Sequence, residues 1–68
     1  MRYVVLIEEA GGNYSAYVPD LPDCTANGKT LALVEREIRS AIRSHIAELE
    51  QNGSPIPVPH SIAKYVDA

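Results

Sequence analysis

The run between Thr30 and Gly53, LALVEREIRSAIRSHIAELEQN, constrains the fold of this chain most strongly. Thr30 is a favourable N-cap, and Gly53 stands where a residue in the left-handed conformation ends many helices. At about 100° per residue, the apolar side chains fall on one stripe, which predicts an amphipathic helix with one buried face. The stripe consists of Leu31, Val34, Ile38, Ala41, Ile42, His45 and Leu49. Such a helix needs a second layer to pack against.

Short β-prone segments on both sides of the helix predict that second layer. Residues 2–8, RYVVLIE, are rich in β-branched and aromatic types and lead into AGGN, which suits a tight hairpin turn. Residues 14–18, YSAYV, predict the return strand, which ends at Pro19 because proline cannot donate to a ladder. Residues 24–28, CTANG, predict a third strand. The alternation in residues 61–68, SIAKYVDA, predicts either a short final strand or a segment that packs on another subunit. The predicted fold class is α+β in the order β-β-β-α-β, with one helix packed on a small antiparallel sheet.

Size and charge limit the classes of function that remain. A chain of 68 residues is at most one domain, residues 1–68. A chain near this size buries only about 60 % of the surface that its unfolded form exposes, so we expect a homodimer or a higher oligomer. The formal charge of −3 argues against a general phosphate-backbone binder and favours a basic protein partner.

The single cysteine, Cys24, bears on location and on metal binding. A single cysteine excludes an internal disulfide. Separately, the apolar run YVVLI near the N-terminus is too short for a signal peptide or a membrane span. The reducing cytoplasm therefore fits best. With only His45 and His60 beside the cysteine, the chain has no ligand set spaced for structural zinc, and we expect no metal and no cofactor.

His45 and Cys24 are the residues that look most like catalytic groups. An ionisable ring within an apolar helix stripe attracts attention, but a neutral, partly buried and hydrogen-bonded histidine is the commoner case. A lone cysteine at the start of a strand is usually a small buried apolar residue. Asp20 and Asp23 lie in a proline-rich turn, where carboxylates are commonly solvated or capping groups. We therefore expect no enzyme and no catalytic residue.

Three arginines on the polar face of the helix leave a second class of function open. Arg36, Arg39 and Arg43 lie within about 60° of one another and can contact phosphates. Glu35 can pair with Arg39 one turn later, which makes a solvated face the simpler interpretation. The alternative function is an orphan nucleic acid-binding or regulatory module that uses these three arginines.

Three stretches carry a resemblance to a known family: YSAYVPDLPDCTANGKTL, then EIRSAIRSHIAELEQNG, then PIPVPHSIAKYV. In combination they resemble the HicB-like antitoxin family of small bacterial toxin–antitoxin systems. That family typically shows a VPDLPGC turn, a Gly-x-Thr start of the helix and a GxPIPxP exit. This chain departs from the pattern at Asp23, where glycine is usual, at Ala32 and Leu33, where an acidic pair is usual, and at Glu35, where an apolar residue is usual.

The resemblance implies a fold and a function. The fold would be a β-β-β-α-β domain, likened to a degraded double-stranded-RNA-binding or RNase H-like fold. The function would be to bind and neutralise a HicA toxin, a small basic mRNA-cleaving ribonuclease, by covering its active site. Many members carry a second, C-terminal DNA-binding module. This chain stops at Ala68, so we expect no direct operator binding.

The resemblance also points to the segment Asp20, Leu21, Pro22 and Asp23 as the partner-binding site. Leu21 between two prolines would be a stiff apolar projection, flanked by charges that can meet a basic partner. A second role for the same four residues stays open, namely a turn that caps the core between helix and sheet.

Overall fold

The N-terminal part of the chain forms an antiparallel sheet of three strands in the order β1-β2-β3. The computed structural model describes residues 1–68. The strands are β1, Leu6–Ala10, β2, Asn13–Val18, and β3, Leu21–Gly28. Gly11 and Gly12 join β1 to β2 with φ of 62° and 77°. A two-residue turn with positive φ at both positions matches the twist of the flanking strands, so the predicted hairpin is confirmed.

The first strand begins later than the sequence predicts. Pairing starts with Leu6 opposite Tyr17, and residues 2–5 lie outside the ladder. Continuing the same register would place Val4 opposite Pro19, which has no N–H to donate. The proline that ends β2 therefore also shortens the paired part of β1.

The helix α1 spans Leu31–Gln51 and has the predicted caps. The Leu33 backbone N–H donates to Thr30 Oγ1 at 3.1 Å, which satisfies one of the open donors of the first turn. Gly53 has a φ of 65°, its N–H donates to the carbonyl of Glu50, and the N–H of Ser54 donates to that of Leu49. This pair of bonds is the Schellman arrangement that a C-terminal glycine favours.

The core lies between α1 and the last two strands. The helix packs on β3 and β2 and not on β1. Gly28 permits this close packing, since a Cβ there would come within 2.8 Å of the Val34 backbone nitrogen. The buried cluster is small and consists of Ala16, Val18, Leu21, Cys24, Val34 and Ile38. The fold class, α+β with one helix on an antiparallel sheet, is confirmed.

The predicted fourth strand is wrong for the single chain. Residues 54–68 form no strand, and no backbone–backbone hydrogen bond pairs residues 62–68 with the rest of the chain. Pro55, Pro57 and Pro59 lack an N–H, and the N–H groups of His60 and Ser61 donate to a side chain instead of a strand. The other predicted role of this segment, packing on another subunit, stays a prediction.

Candidate partner-binding site

The β2–β3 turn, residues 19–24, contains an irregularity in the ladder. Tyr17 pairs with Thr25, but the next residue, Val18, pairs with Leu21. Residues 22–24 therefore have no partner opposite them and form a bulge. A bulge tolerates Pro22 within a strand, because no ladder bond is required of it. The sequence prediction, which begins β3 at residue 24, missed the short paired part that precedes the bulge.

Asp20 fixes one end of this turn to the C-terminal segment. Its Oδ2 accepts the backbone N–H groups of His60 and Ser61 at 3.0 and 3.1 Å. Its Oδ1 accepts the Ser61 hydroxyl at 2.7 Å and faces His60 Nδ1 at 3.2 Å. These bonds, led by the one from the Ser61 hydroxyl, lower the pKa of the Asp20 carboxyl, against the opposing effect of burial. Asp20 is therefore a structural anchor for the segment that follows the prolines.

The predicted site, Asp20 to Asp23, divides into a buried and an exposed half. Asp20 is 7 % and Leu21 only 1 % exposed, whereas Pro22 and Asp23 are exposed. The expectation that Leu21 projects outward is wrong, because its side chain belongs to the core cluster. The buried half, Asp20 and Leu21, instead fits the second role that the sequence left open, a turn that caps the core. In this conformation only Pro22 and Asp23 present their side chains to a partner.

The turn also accommodates aspartate at the position where glycine is usual in the family that the sequence resembles. No residue other than glycine has a positive φ in this chain, so Asp23 adopts its place without that backbone strain. The departure at Asp23 therefore adds a charge to the surface of the turn and leaves its backbone unstrained.

The two candidate catalytic groups are not brought together into a reactive site. Cys24 is buried, and its Sγ lies 3.8 Å from the Ala41 carbonyl oxygen. Burial, and then the charge of Asp23, raise the pKa of this thiol, which disfavours the thiolate that a nucleophile requires. His45 is half-buried on α1. No group of three or more His, Cys, Asp or Glu side chains is placed to hold a metal ion.

Arg36, Arg39 and Arg43 are all exposed on α1. No arginine or lysine side chain forms an ion pair with a carboxylate of the chain, so the predicted pair of Glu35 with Arg39 is not formed. Arg39, Arg43 and Glu35 lie instead at the border of an apolar cleft. The guanidinium groups of this face are free to meet an anionic group from outside the chain.

The position of that apolar cleft beside the helix is a feature that the sequence did not reveal. We call it the N-terminal cleft; its volume is about 670 Å³, and it lies between residues 1–7 and the helix. Because α1 covers β2 and β3, the inward side chains before and within β1 are left partly open. Its apolar lining consists of Met1, Tyr3, Val5, Ile7, Ile38, Ile42 and Ile46. The β-branched and aromatic residues of the segment 2–8 indicated a strand, but no pattern in the sequence showed which strand the helix would leave uncovered.

Known proteins resemble this chain in both sequence and fold. The family model described as "HicB_like antitoxin of bacterial toxin-antitoxin system" matches residues 3–68. The chain belongs to the HicB-like antitoxin family. It is 38 % identical over 58 residues to the UPF0150 protein Ta0767 of Thermoplasma acidophilum, and the match covers 84 % of each chain. The N-terminal domain of the Burkholderia pseudomallei antitoxin HicB has a similar crystal structure, with a TM-score of 0.77 and 25 % identity. That match covers 85 % of this chain and 69 % of the other.

Family membership confirms the resemblance found in the sequence. As an antitoxin of a toxin–antitoxin system, a HicB-like chain has a protein toxin as its partner, and family and fold favour a protein without catalytic activity. The archaeal relative shows that similar chains are not confined to bacteria, so a bacterial source stays a prediction. No helix combines the length and the apolar character that crossing a bilayer requires.

Proposed function

We propose that this HicB-like chain binds a small basic, mRNA-cleaving ribonuclease of the HicA type and blocks its active site. The observation that carries the proposal is the family match, which extends over residues 3–68 and so over the sheet, the helix and the C-terminal segment. The net charge of −3 supports it, since opposite charges steer an acidic protein toward a basic one. Both proteins would meet in the cytoplasm, where Cys24 stays reduced.

The surface proposed for the toxin is the exposed half of the β2–β3 turn. Pro22 and Asp23 are held between Leu21 and Cys24, which are both buried in the core. A turn anchored on both sides loses little conformational freedom when it binds, so more of the contact energy remains for affinity. The carboxylate of Asp23 supplies a negative charge for a basic partner.

Two matched charge reversals test this surface. Asp23→Lys and Glu50→Lys change the net charge equally, at the turn and near the end of α1 respectively, and both residues are exposed. We expect Asp23→Lys to weaken binding of the co-expressed toxin by about tenfold at low salt, and Glu50→Lys to have little effect. Affinity is measured by titration calorimetry with a toxin variant that lacks its catalytic base.

The outcomes separate the surface from the function. Equal weakening by both variants would show that only net charge matters and would remove the turn as the contact site. Absence of any complex between the parent chain and small basic ribonucleases from the neighbouring gene, together with no relief of toxicity, would overturn the proposed function.

The second candidate function is nucleic acid binding by Arg36, Arg39 and Arg43. The observation in its favour is that these three exposed guanidinium groups have no carboxylate partner within the chain. It predicts RNA affinity that falls steeply with salt and is lost when all three arginines are replaced by glutamine. A triple variant that binds RNA as tightly as the parent would exclude this function.

Self-association is part of the proposed function. Only seven of the 68 residues are buried in the single chain, and the N-terminal cleft leaves an apolar surface open beside the helix. A homodimer would extend so small a core by covering that surface. Light scattering at micromolar concentration tests this proposal, and a mass of one chain would contradict it.

A further inference from the structure

We infer that the C-terminal arm, residues 62–68, of one chain docks in the N-terminal cleft of a second copy, and that the second copy reciprocates. This inference rests on the proposed self-association and is independent of the toxin. It assigns a specific interface to the dimer: an exposed apolar segment of one chain, and an open cleft with an apolar lining on the other.

The arm carries several apolar side chains, and all seven of its residues are exposed in the single chain. Ile62 is 88 % and Val66 83 % exposed, and Tyr65 is fully exposed. Exposing three neighbouring apolar side chains to water is energetically unfavourable. Adjacent exposed apolar groups of this kind mark interaction surfaces. The arm also leaves its backbone N–H and C=O groups without partners in the chain. Both features favour a segment that completes its contacts on another molecule.

The direction of the arm is fixed at its base. The Asp20 carboxylate holds the backbone N–H groups of His60 and Ser61 and the Ser61 hydroxyl. The hydroxyl of Tyr3 donates to the Pro57 carbonyl at 2.6 Å and ties down the preceding segment. The radius of gyration, 13.1 Å, exceeds the roughly 11 Å expected of a compact chain of this length. An arm held at its base in this way is pre-organised to reach a neighbour.

The cleft and the base of the arm adjoin each other, which suits a two-fold arrangement. Ser61, Ile62 and Ala63 line a second, more open cleft together with residues 2–5, and Tyr3 and Val5 among these also line the N-terminal cleft. A two-fold axis close to residues 2–5 would therefore bring each arm over the cleft of the other chain. The same patch on both chains would supply both halves of the contact, as a closed dimer requires.

Charge and backbone pairing agree with this occupant. Arg39 and Arg43 lie at the border of the cleft without an ion-pair partner in the chain, and Asp67 follows the apolar part of the arm. Residues 2–5 lie outside the β1–β2 ladder, so their backbone is available to an added strand. The period-two pattern of the arm suits such addition, with Ala63 and Tyr65 on one side and Ile62, Lys64 and Val66 on the other. The side that carries Tyr65 and lacks the lysine is the one that faces the cleft in this arrangement.

A mixing experiment with single cysteines tests the contact between chains. One preparation carries Tyr65→Cys and the other Ile46→Cys, and Cys24 is buried in both. After mixing, subunit exchange and mild oxidation, we expect a disulfide between position 65 of one chain and position 46 of the other, identified by mass spectrometry of the linked peptides. Dimers that are linked only between two copies of position 65, or no linked dimer, would overturn the inference.

A pair of substitutions provides the second measurement. Tyr65 contacts nothing in its own chain, so Tyr65→Asp leaves the fold of the monomer intact, and we expect it to weaken the dimer at least tenfold in sedimentation analysis. Leu31→Asp, at an exposed apolar residue on the first turn of α1, is the matched control and should leave the dimer unchanged. If the Tyr65→Asp variant still forms a dimer, self-association stands but docking of the arm is overturned. If the parent chain is a monomer, both proposals are overturned.

Discussion

A single carboxylate, that of Asp20, joins two parts of the chain that are far apart in sequence. It accepts hydrogen bonds from residues 40 and 41 positions later and faces the ring of His60. Carboxylates that accept several donors are strongly held in the ionised form. The sequence showed Asp20 only as a turn residue with a charge, because its donors lie beyond the whole helix. Local pattern cannot reveal such a pairing.

The stability that Asp20 provides should depend on pH. Its folded-state pKa is below the unfolded value of about 3.9, so the contribution is fully present well above that value and is lost as pH falls through the folded pKa. We expect Asp20→Asn to lower the urea midpoint at pH 7, with a difference from the parent that shrinks between about pH 5 and pH 3. Asp67→Asn, at an exposed carboxyl group, is the control. A difference that stays constant over this range would contradict the anchor role.

At the scale of elements, local chemistry predicted the helix and the hairpin but not the bulge. Thr30 and Gly53 act through bonds within their own turn, and the pair Gly11 and Gly12 meets the needs of one tight turn. The register of β3 is set differently. Leu21 is buried against the helix and the sheet, and this burial draws three residues out of the ladder. Whether Leu21 or Pro22 is buried depends on the helix that packs on the sheet, and the local sequence of the turn does not show this.

Truncating Leu21 tests whether the β2–β3 turn is held by the core. Leu21→Ala removes a fully buried side chain and should cost about 2–5 kcal/mol of unfolding free energy, measured in urea at constant chain concentration. Pro22→Ala, one residue later and exposed, is the control and should cost less than about 1 kcal/mol. Equal losses from both variants would mean that the turn, and not the core contact, determines stability.

At the scale of the whole molecule, the fold buries few apolar side chains and leaves many exposed. Six apolar residues make the buried cluster, while the arm and the N-terminal cleft present further apolar groups to solvent. The sequence indicated this through its length alone, and packing on another subunit was only one of the two roles that it left open for residues 61–68. Only the packing of α1 over β2 and β3 decides that β1 keeps an open apolar side.

If the second copy completes the core, thermal stability must depend on chain concentration. Unfolding of a dimer releases two chains, so each tenfold increase in concentration stabilises the dimer by about 1.4 kcal/mol. For two chains of this length, that corresponds to a rise in Tm of roughly 5 °C. We expect this slope for the parent and for Leu31→Asp in calorimetry from about 5 to 500 μM, and a flat, lower Tm for Tyr65→Asp. A parent Tm that does not change with concentration would mean that the small core is sufficient by itself.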